Sequence, residues 1–436
     1  MARVVVIGGG FAGTASAARL AKLGHETTLL EARDRLGGAL DAVAHEGFSW
    51  DLGPTTTLLP AVVRDLFRKS GRPLERELDL VPRPIVAVHR FPDGSSVALP
   101  GATRAGQMRA FDELAPGLGQ EWVDHVASFS DAWDLLRKEW FERAWDPVAS
   151  PDEVTRLVNS RESLRDRVRR TLRDPRARLV AEHPVRGRGD DPRRTPAWAA
   201  LDHHLAERFG VWSVPGGMAA LADAMTQRLQ TRKVTVRTHT RALDLVVRAG
   251  TVVAVRTDQG DVAADAVVVA IDPRLIPALA PHVRSTAAAA LPDLTCLAVE
   301  GELAQIDAHA GEIVLHGRRN TTLTLRPAYA PSGATAFSVL TRGQGADVLD
   351  ALAAHGLDLA GRVIHRHDLP AVTLAERWSG SPYGVQWAGR RTTWRRLGPR
   401  TPITGVYAAG AHTSAGSGLP FAGLGAALVA AALGPA

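Results

Sequence analysis

The sequence predicts an α/β protein of two domains: one on a parallel sheet flanked by helices, the other α+β with a helical insertion. Three observations predict it. At 436 residues the chain exceeds what one core usually fills, since domains cluster near ~100–200 residues. It opens on a strand, a glycine turn, a helix and a second strand. Apolar runs of the kind that fill parallel sheets return far downstream, at Ala266 to Ile271 and Val406 to Ala409, while residues 104 to 172 carry helical periodicity. The domains therefore need not be contiguous.

The first element is RVVVI, residues 3 to 7, a continuous apolar run suited to a strand buried on both faces. Gly8, Gly10 and Gly13 then give G-x-G-x-x-G. Phe11 to Leu23 reads as a helix whose Ala15, Ala18 and Ala21 pack closely on a sheet, and His25 to Leu30 as the second strand. Gly8 permits the tight turn, Gly10 lets backbone approach a pyrophosphate, and Gly13 lets helix and strand touch. The helix N-terminus offers unpaired N–H groups and a positive dipole end to the phosphates. Glu31, at the end of the second strand, accepts from ribose hydroxyls and repels a 2′-phosphate. A dinucleotide is the implied ligand. "EARDRLGG" then sets Gly37 and Gly38 where backbone runs along an extended dinucleotide, which favours FAD; an ordinary turn and NAD remain open on these residues alone.

"GFSWDLGPTTTLLP" (47 to 60) ends in a turn and a helix start, with Gly53 and Pro54 near the same ligand. "VAVHRFPDGSSVALP" alternates around Pro92-Asp93-Gly94, a hairpin signal. Along the helical stretch, Trp122, Trp133, Trp140 and Trp145 read first as core and second as the wall of a lipophilic tunnel. The breaker-rich run Pro184 to Pro196 is expected to close it. A further glycine turn and helix follow in "FGVWSVPGGMAALADAMTQRL", then strands joined by turns at Ala249-Gly250 and Gln259-Gly260. More strands are expected from Ala298 to Leu340 and a helix over residues 346 to 366. At the end, the strand Val406 to Ala409 runs into Gly410, a small-residue loop, and a helix beginning near Leu419 or Pro420; proline suits a first helical position. A second helix N-terminus thus faces the ligand, suited to the negative N1–C2=O edge of a reduced flavin.

Composition narrows the rest. The chain is 45% hydrophobic and 22% charged, and no apolar run approaches the ~20 residues of a spanning helix. Neither a secretory leader nor metal-ligand spacing is evident, and Cys296 is the single cysteine, which excludes an internal disulfide. A cytoplasmic protein is the expectation. The net charge of +6 concentrates in residues 161 to 194. That stretch reads as a solvated helical face, or as a surface for peripheral contact with anionic lipid headgroups. Nucleic acid is disfavoured, because no binding motif or interleaved aromatics accompany the arginines.

Taken in order, these stretches resemble the phytoene desaturase family within the wider flavin amine oxidase-like superfamily. The matching passages are Gly8 to Gly38, "FSWDLGPT", "VAVHRFPDGSSVAL", "LRDPRARLV" to "PAW", "GVWSVPGGMAALADAM", "ADAVVVAIDP" and "PYGVQWAGR" to "GLPFAG". The resemblance implies FAD, held by a Rossmann-like domain of glutathione-reductase type in three segments, residues 1–72, 209–290 and 373–436. Residues 73–208, with the helical insertion, and 291–372 would form the substrate domain. Carried over by motif, Gly8, Gly10, Gly13 and Glu31 hold the ADP moiety, with Phe11, Ala12, Ala32 and Arg33 beside them. Gly37 and Gly38 line the pyrophosphate, and Ala242 lies against adenine. Gly53, Pro54 and Thr55 approach the flavin, and Gly410, Ala411 and Leu419 hold its isoalloxazine end. Two departures matter. Family members commonly carry arginine directly after the second glycine pair, where this chain has Ala39; Arg35 is the candidate replacement. The middle of the chain is also short, which puts a long C40 tunnel in doubt.

The implied reaction removes two hydrogens from a carbon–carbon bond of a lipophilic isoprenoid or polyene, with hydride passing to flavin N5. His412 is the position to test for a base, against the plainer reading of a loop histidine bonded to backbone. His203 and His204 are not expected to act in catalysis. Alternatives are oxidation, isomerisation or saturation of a shorter polyene or acyl chain, an amine oxidase, and a catalytically silent flavoprotein. Amine oxidases usually frame the flavin with aromatic side chains and often bond it through a cysteine near the terminus. Here the final strand–loop–helix holds only Tyr407 and Phe421, with Cys296 far off in sequence.

Overall fold

The computed structural model describes residues 1–146, 148–317, 322–343 and 347–436. Five parallel strands form one sheet in the order Val406–Ala408, Ala266–Val269, Arg3–Ile7, Glu26–Leu30 and Thr235–Arg237. Val4 lies opposite both Ala266 and Thr27, so the first strand of the chain is the middle one of the sheet. Its apolar run is continuous because both faces are covered. Val4 and Val6 pack with the helices Phe11–Lys22, Ala219–Thr231 and Leu419–Leu433. Val5 and Ile7 pack with Leu245, Val252 and Val255 of an antiparallel three-stranded sheet, Ala242–Arg248, Thr251–Thr257 and Gly260–Ala263. The opening and closing helices also pack on each other, so opposite ends of the chain meet here.

A second, seven-stranded sheet runs Val363–Leu369, Asp293–Glu300, Ala334–Thr341, Thr322–Ala328, Ala310–His316, Ile85–Arg90 and Ser96–Pro100. Ala310–His316 pairs in parallel with Ile85–Arg90, and the other neighbours pair antiparallel. Helices between Arg104 and Gly187 form an aromatic core beside it. Trp122 stacks on Phe111 at 4.1 Å and donates to Gln107 Oε1 at 2.8 Å; Trp122, Trp133 and Trp140 are all buried.

Two expectations fail. The helix foreseen over 346 to 366 is only Val348–Ala354 among the described residues, and Val363–Leu369 is an edge strand. Its side chains alternate between half-buried and exposed, the period-two pattern of a strand at a sheet edge. Pro184 does not break the chain either: the helix Pro175–Gly187 runs through it. Proline removes the N–H that would bond the carbonyl of Val180, four residues earlier. His203 supplies the missing donor, its Nε2 lying 3.0 Å from that carbonyl, so the backbone acceptor stays satisfied.

Within residues 161 to 194 many arginines pair locally: Arg167 and Arg170 with Glu162, Arg176 with Asp174, Arg186 with Glu182. Arg170, the exposed member, contributes little stability through its pair. No helix among the described residues is long and apolar enough to cross a membrane. Cys296 is fully buried in a central strand, and burial pushes its thiol up to about 12. The thiolate is the reactive form. A thiol-selective reagent should therefore leave the native protein unlabelled and titrate one thiol per chain in denaturant; rapid native labelling would contradict this burial.

Candidate functional site

The two sheets enclose a cavity of about 570 Å³ that begins at the first glycine turn. Gly8, Gly10, Phe11, Ala12, Glu31, Ala32, Arg33, Gly37, Gly38, Gly53, Pro54, Thr55, Ala242, Gly410, Ala411, His412 and Leu419 all border it. Gly13 and Arg35 do not. Gly13 acts from behind: a Cβ there would sit 1.9 Å from the Gly8 carbonyl oxygen, so only glycine lets the first helical turn close on the strand exit. Arg35 is a correction. Its guanidinium rests on the buried carboxylate of Asp41 while half the side chain faces solvent. Asp41 also binds Arg33 at 3.1 Å and Arg377 at 2.6 Å, and both of these arginines border the cavity. Arg377 thus supplies a cation that a reading of residues 31 to 40 alone could not find.

Backbone geometry decides whether FAD fits. The N-cap of Phe11–Lys22 is Gly10 and that of Leu419–Leu433 is Gly418; neither helix has a side-chain cap, and both N-termini meet the cavity. Unpaired helical N–H groups with no capping side chain suit anionic oxygens. The second glycine pair is bonded to the first. Gly37 N–H donates to the Gly9 carbonyl at 2.9 Å, and a Cβ on Gly38, at φ +59°, would lie 2.9 Å from Gly10 Cα. A side chain is excluded at Gly38, so backbone lines the groove where the two glycine runs meet. Glu31 accepts from Gly9 N–H at 2.7 Å and from Arg33 N–H at 2.9 Å, which fixes its carboxylate at the border of the cavity. The residues present fit FAD.

His412 is 6% exposed, with Nδ1 3.3 Å from Arg274 Nη2 and 3.9 Å from Asp272 Oδ1. Burial lowers its pKa to about 4 against the pull of Asp272. It is a neutral imidazole packed on a loop, close to the plainer expectation for this residue.

The sequence reading missed the far wall. His89, His183, His203, Arg188, Asp202, Glu312 and Arg326 all face the cavity. His183 Nε2 lies 3.1 Å from Glu312, and Arg326 donates to the Gly53 carbonyl at 3.0 Å. Burial pushes the Glu312 carboxyl up, but the His183 hydrogen bond and the His183 and Arg326 charges outweigh it and hold it at about 2. Arg188 clasps Asp202 with both arms, at 2.6 and 3.1 Å. His89 stays neutral, as burial and the neighbouring histidines push it well below its ordinary value. These residues come from four distant stretches, so no local spacing announces them. His203 was set aside as non-catalytic, and its bond to Val180 explains its presence without chemistry. Among the described residues no His/Cys/Asp/Glu cluster has metal-binding geometry.

Comparisons with known proteins show the family. The family model "Flavin containing amine oxidoreductase" matches residues 11–433. The chain is 30% identical over 270 residues to a phytoene desaturase (neurosporene-forming) of Cereibacter sphaeroides, covering 60% of this chain and 51% of that protein. It is 28% identical over 294 residues to a 4,4′-diapolycopene oxygenase of Methylomonas sp, covering 65% and 58%. The chain thus spans little more than half the length of these relatives. In fold it is similar to a putrescine oxidase solved with putrescine, with TM-score 0.70, 16% identity and coverage of 99% and 98%. Cyclohexylamine oxidase from Brevibacterium oxydans gives TM-score 0.67 at 16% identity, covering 99% of each chain. A family match over nearly the whole chain leads to one conclusion: this chain belongs to the flavin containing amine oxidoreductase family and is similar to carotenoid desaturases.

Proposed function

We propose that the enzyme dehydrogenates carbon–carbon bonds of a lipophilic isoprenoid or polyene. Bound FAD supplies the two-electron acceptor. In this reading residues 1–72, 209–290 and 373–436 form the FAD domain, of glutathione-reductase type, and 73–208 with 291–372 the substrate domain. Gly8, Gly10 and Glu31 hold the ADP moiety, Ala242 meets adenine, and Gly53, Gly410 and Leu419 meet the isoalloxazine. The protein's part is to orient the chain and keep water out. Val86, Ala87, Leu99, Ala206, Val211 and Phe421 give the flavin end its apolar wall.

The observation that carries the choice over amine oxidation is the state of the carboxylates. A substrate ammonium is held most strongly by a free one. All four that face the cavity are taken: Glu31 by backbone N–H groups, Asp202 by Arg188, Asp272 by Arg274 and Glu312 by His183. The test is anaerobic incubation of the flavin-loaded protein with polyprenoids, polyene acids and amines while the visible flavin band is followed. Bleaching by a polyprenoid or polyene is expected. Bleaching by amines alone, or by none of them, contradicts the reading.

A further inference from the structure

A second chamber of about 70 Å³ adjoins the flavin end of the main cavity, sharing Arg188, Asp202, Tyr383, Ser417 and Phe421 with it. Aromatic rings from three stretches wall it: Trp140, Trp198 and Trp387. Its polar groups differ from those of the main cavity. There the charges satisfy one another. Here Arg396 Nε, Trp198 Nε1 and Thr393 Oγ1 are all buried, and none has a hydrogen-bond partner among the described residues. Trp198 and Thr393 are 6% and 4% exposed.

Arg396 is the centre of the chamber's chemistry. Its guanidinium carbon lies 4.1 Å from the centre of the Trp387 ring, and its Nη2 donates only to the Val385 carbonyl, at 2.9 Å. Among the described residues no carboxylate hydrogen-bonds it. The neighbouring Arg188 is saturated by Asp202, and Asp190 accepts from Trp387 N–H at 2.8 Å. Asp190 answers the Arg396 charge through space without hydrogen-bonding it, but each buried donor without an acceptor is costly. Three unmatched donors in one chamber call for an oxygen-rich acceptor. Two carboxylate oxygens match an arginine and its neighbours. A hydrocarbon end would leave all three unmatched.

We propose that this chamber binds the carboxylate of the substrate, so that the substrate is a polyene or isoprenoid acid whose chain lies in the main cavity and whose acid end meets Arg396, Thr393 and Trp198. The inference rests on the reading of the main cavity as a polyene site. It adds a polar terminus to the substrate class and a length limit, because the chain must end where the chamber begins.

The experiment compares a polyene acid of moderate length with its methyl ester and the parent hydrocarbon. Dissociation constants are read from perturbation of the oxidised flavin spectrum of the holoenzyme, and turnover from anaerobic bleaching. A hydrogen bond to a charged group contributes ~1.5–3 kcal/mol, so the acid should bind at least roughly tenfold more tightly than the ester. Thr393→Val removes a hydroxyl that has no hydrogen-bond partner among the described residues, and it should weaken acid binding several-fold while leaving hydrocarbon binding and flavin content unchanged. Arg396→Met should do the same more strongly. Equal affinity for acid and ester, or acid binding indifferent to Thr393→Val, overturns the proposal and leaves a chamber that holds water. The two readings fail separately. Bleaching by the hydrocarbon with no preference for the acid removes the chamber's role alone. An acid preference sensitive to Thr393, with no polyene ever bleaching the flavin, supports the chamber and removes the desaturase reading.

Discussion

Gly13→Val is expected to yield protein that retains no flavin and unfolds well below the native Tm. The Cβ would lie 1.9 Å from the Gly8 carbonyl oxygen and 3.3 Å from Ala270 Cβ. Backbone, unlike the far end of a flexible side chain, cannot step aside locally. Overpacking in a well-filled core typically costs ~1–3 kcal/mol, and a backbone clash of this depth belongs at or beyond the upper end. Relief requires the helix Phe11–Lys22 to move off the sheet. That movement carries its N-terminus away from the cavity and loosens its packing on Leu419–Leu433. One substitution at a position that never borders the cavity should thus empty it. Flavin content per chain and a thermal melt check this; a yellow protein of native Tm would contradict it.

Acidification is the second large effect. Burial lowers seven histidines, His204 and His365 among them, and holds five far below the ordinary value of 6.5: His125 and His316 at about 3, His203 and His412 at about 4, and His89 well below. The unfolded chain takes up protons near 6.5 while the folded one refuses them until about 4. Their stabilising contribution is therefore complete above the unfolded value and is lost as the pH falls from 6.5 towards 4. One unit below 6.5, each such histidine gives up about 1.4 kcal/mol, so five acting at half their additive sum remove on the order of 3 kcal/mol. That is a large share of a usual stability of ~5–15 kcal/mol. For a chain of this size it corresponds to a Tm roughly 3–4 °C lower at about pH 5.5 than at about pH 7.5. A carboxylate step follows only lower, as Glu312 is held at about 2. A Tm constant down to pH 4 would contradict the neutral histidines.

The glycine floor was legible because its geometry is local. Gly8 to Gly38 lies within one strand–helix–strand unit, where spacing carries geometry, and the closing loop repeats the device with Gly410 and Leu419. Gly9 could have been added from the triple glycine itself: a Cβ there would meet Leu36 at 2.5 Å and Glu31 at 2.8 Å. Arg35 misled because proximity in sequence stood in for direction; Asp41 captures it, and Arg377 arrives from 336 residues beyond Asp41. The substrate wall was illegible for the same reason. Glu312 and His183 are 129 residues apart, and Arg326 and Gly53 are 273 apart. Pro184 and Val363–Leu369 failed differently. The first looked like a breaker because the donor that compensates it sits on another helix, and the second was hidden by length, a strand following closely on a short helix.

The central claim is that one FAD lies along a single cavity bounded by helix N-termini from opposite ends of the chain. Amide hydrogen exchange, compared between flavin-stripped and reconstituted protein, tests it most directly. The account predicts that residues 8–13 and 410–422 gain protection together, at one FAD per chain. Protection confined to one of these segments would contradict it.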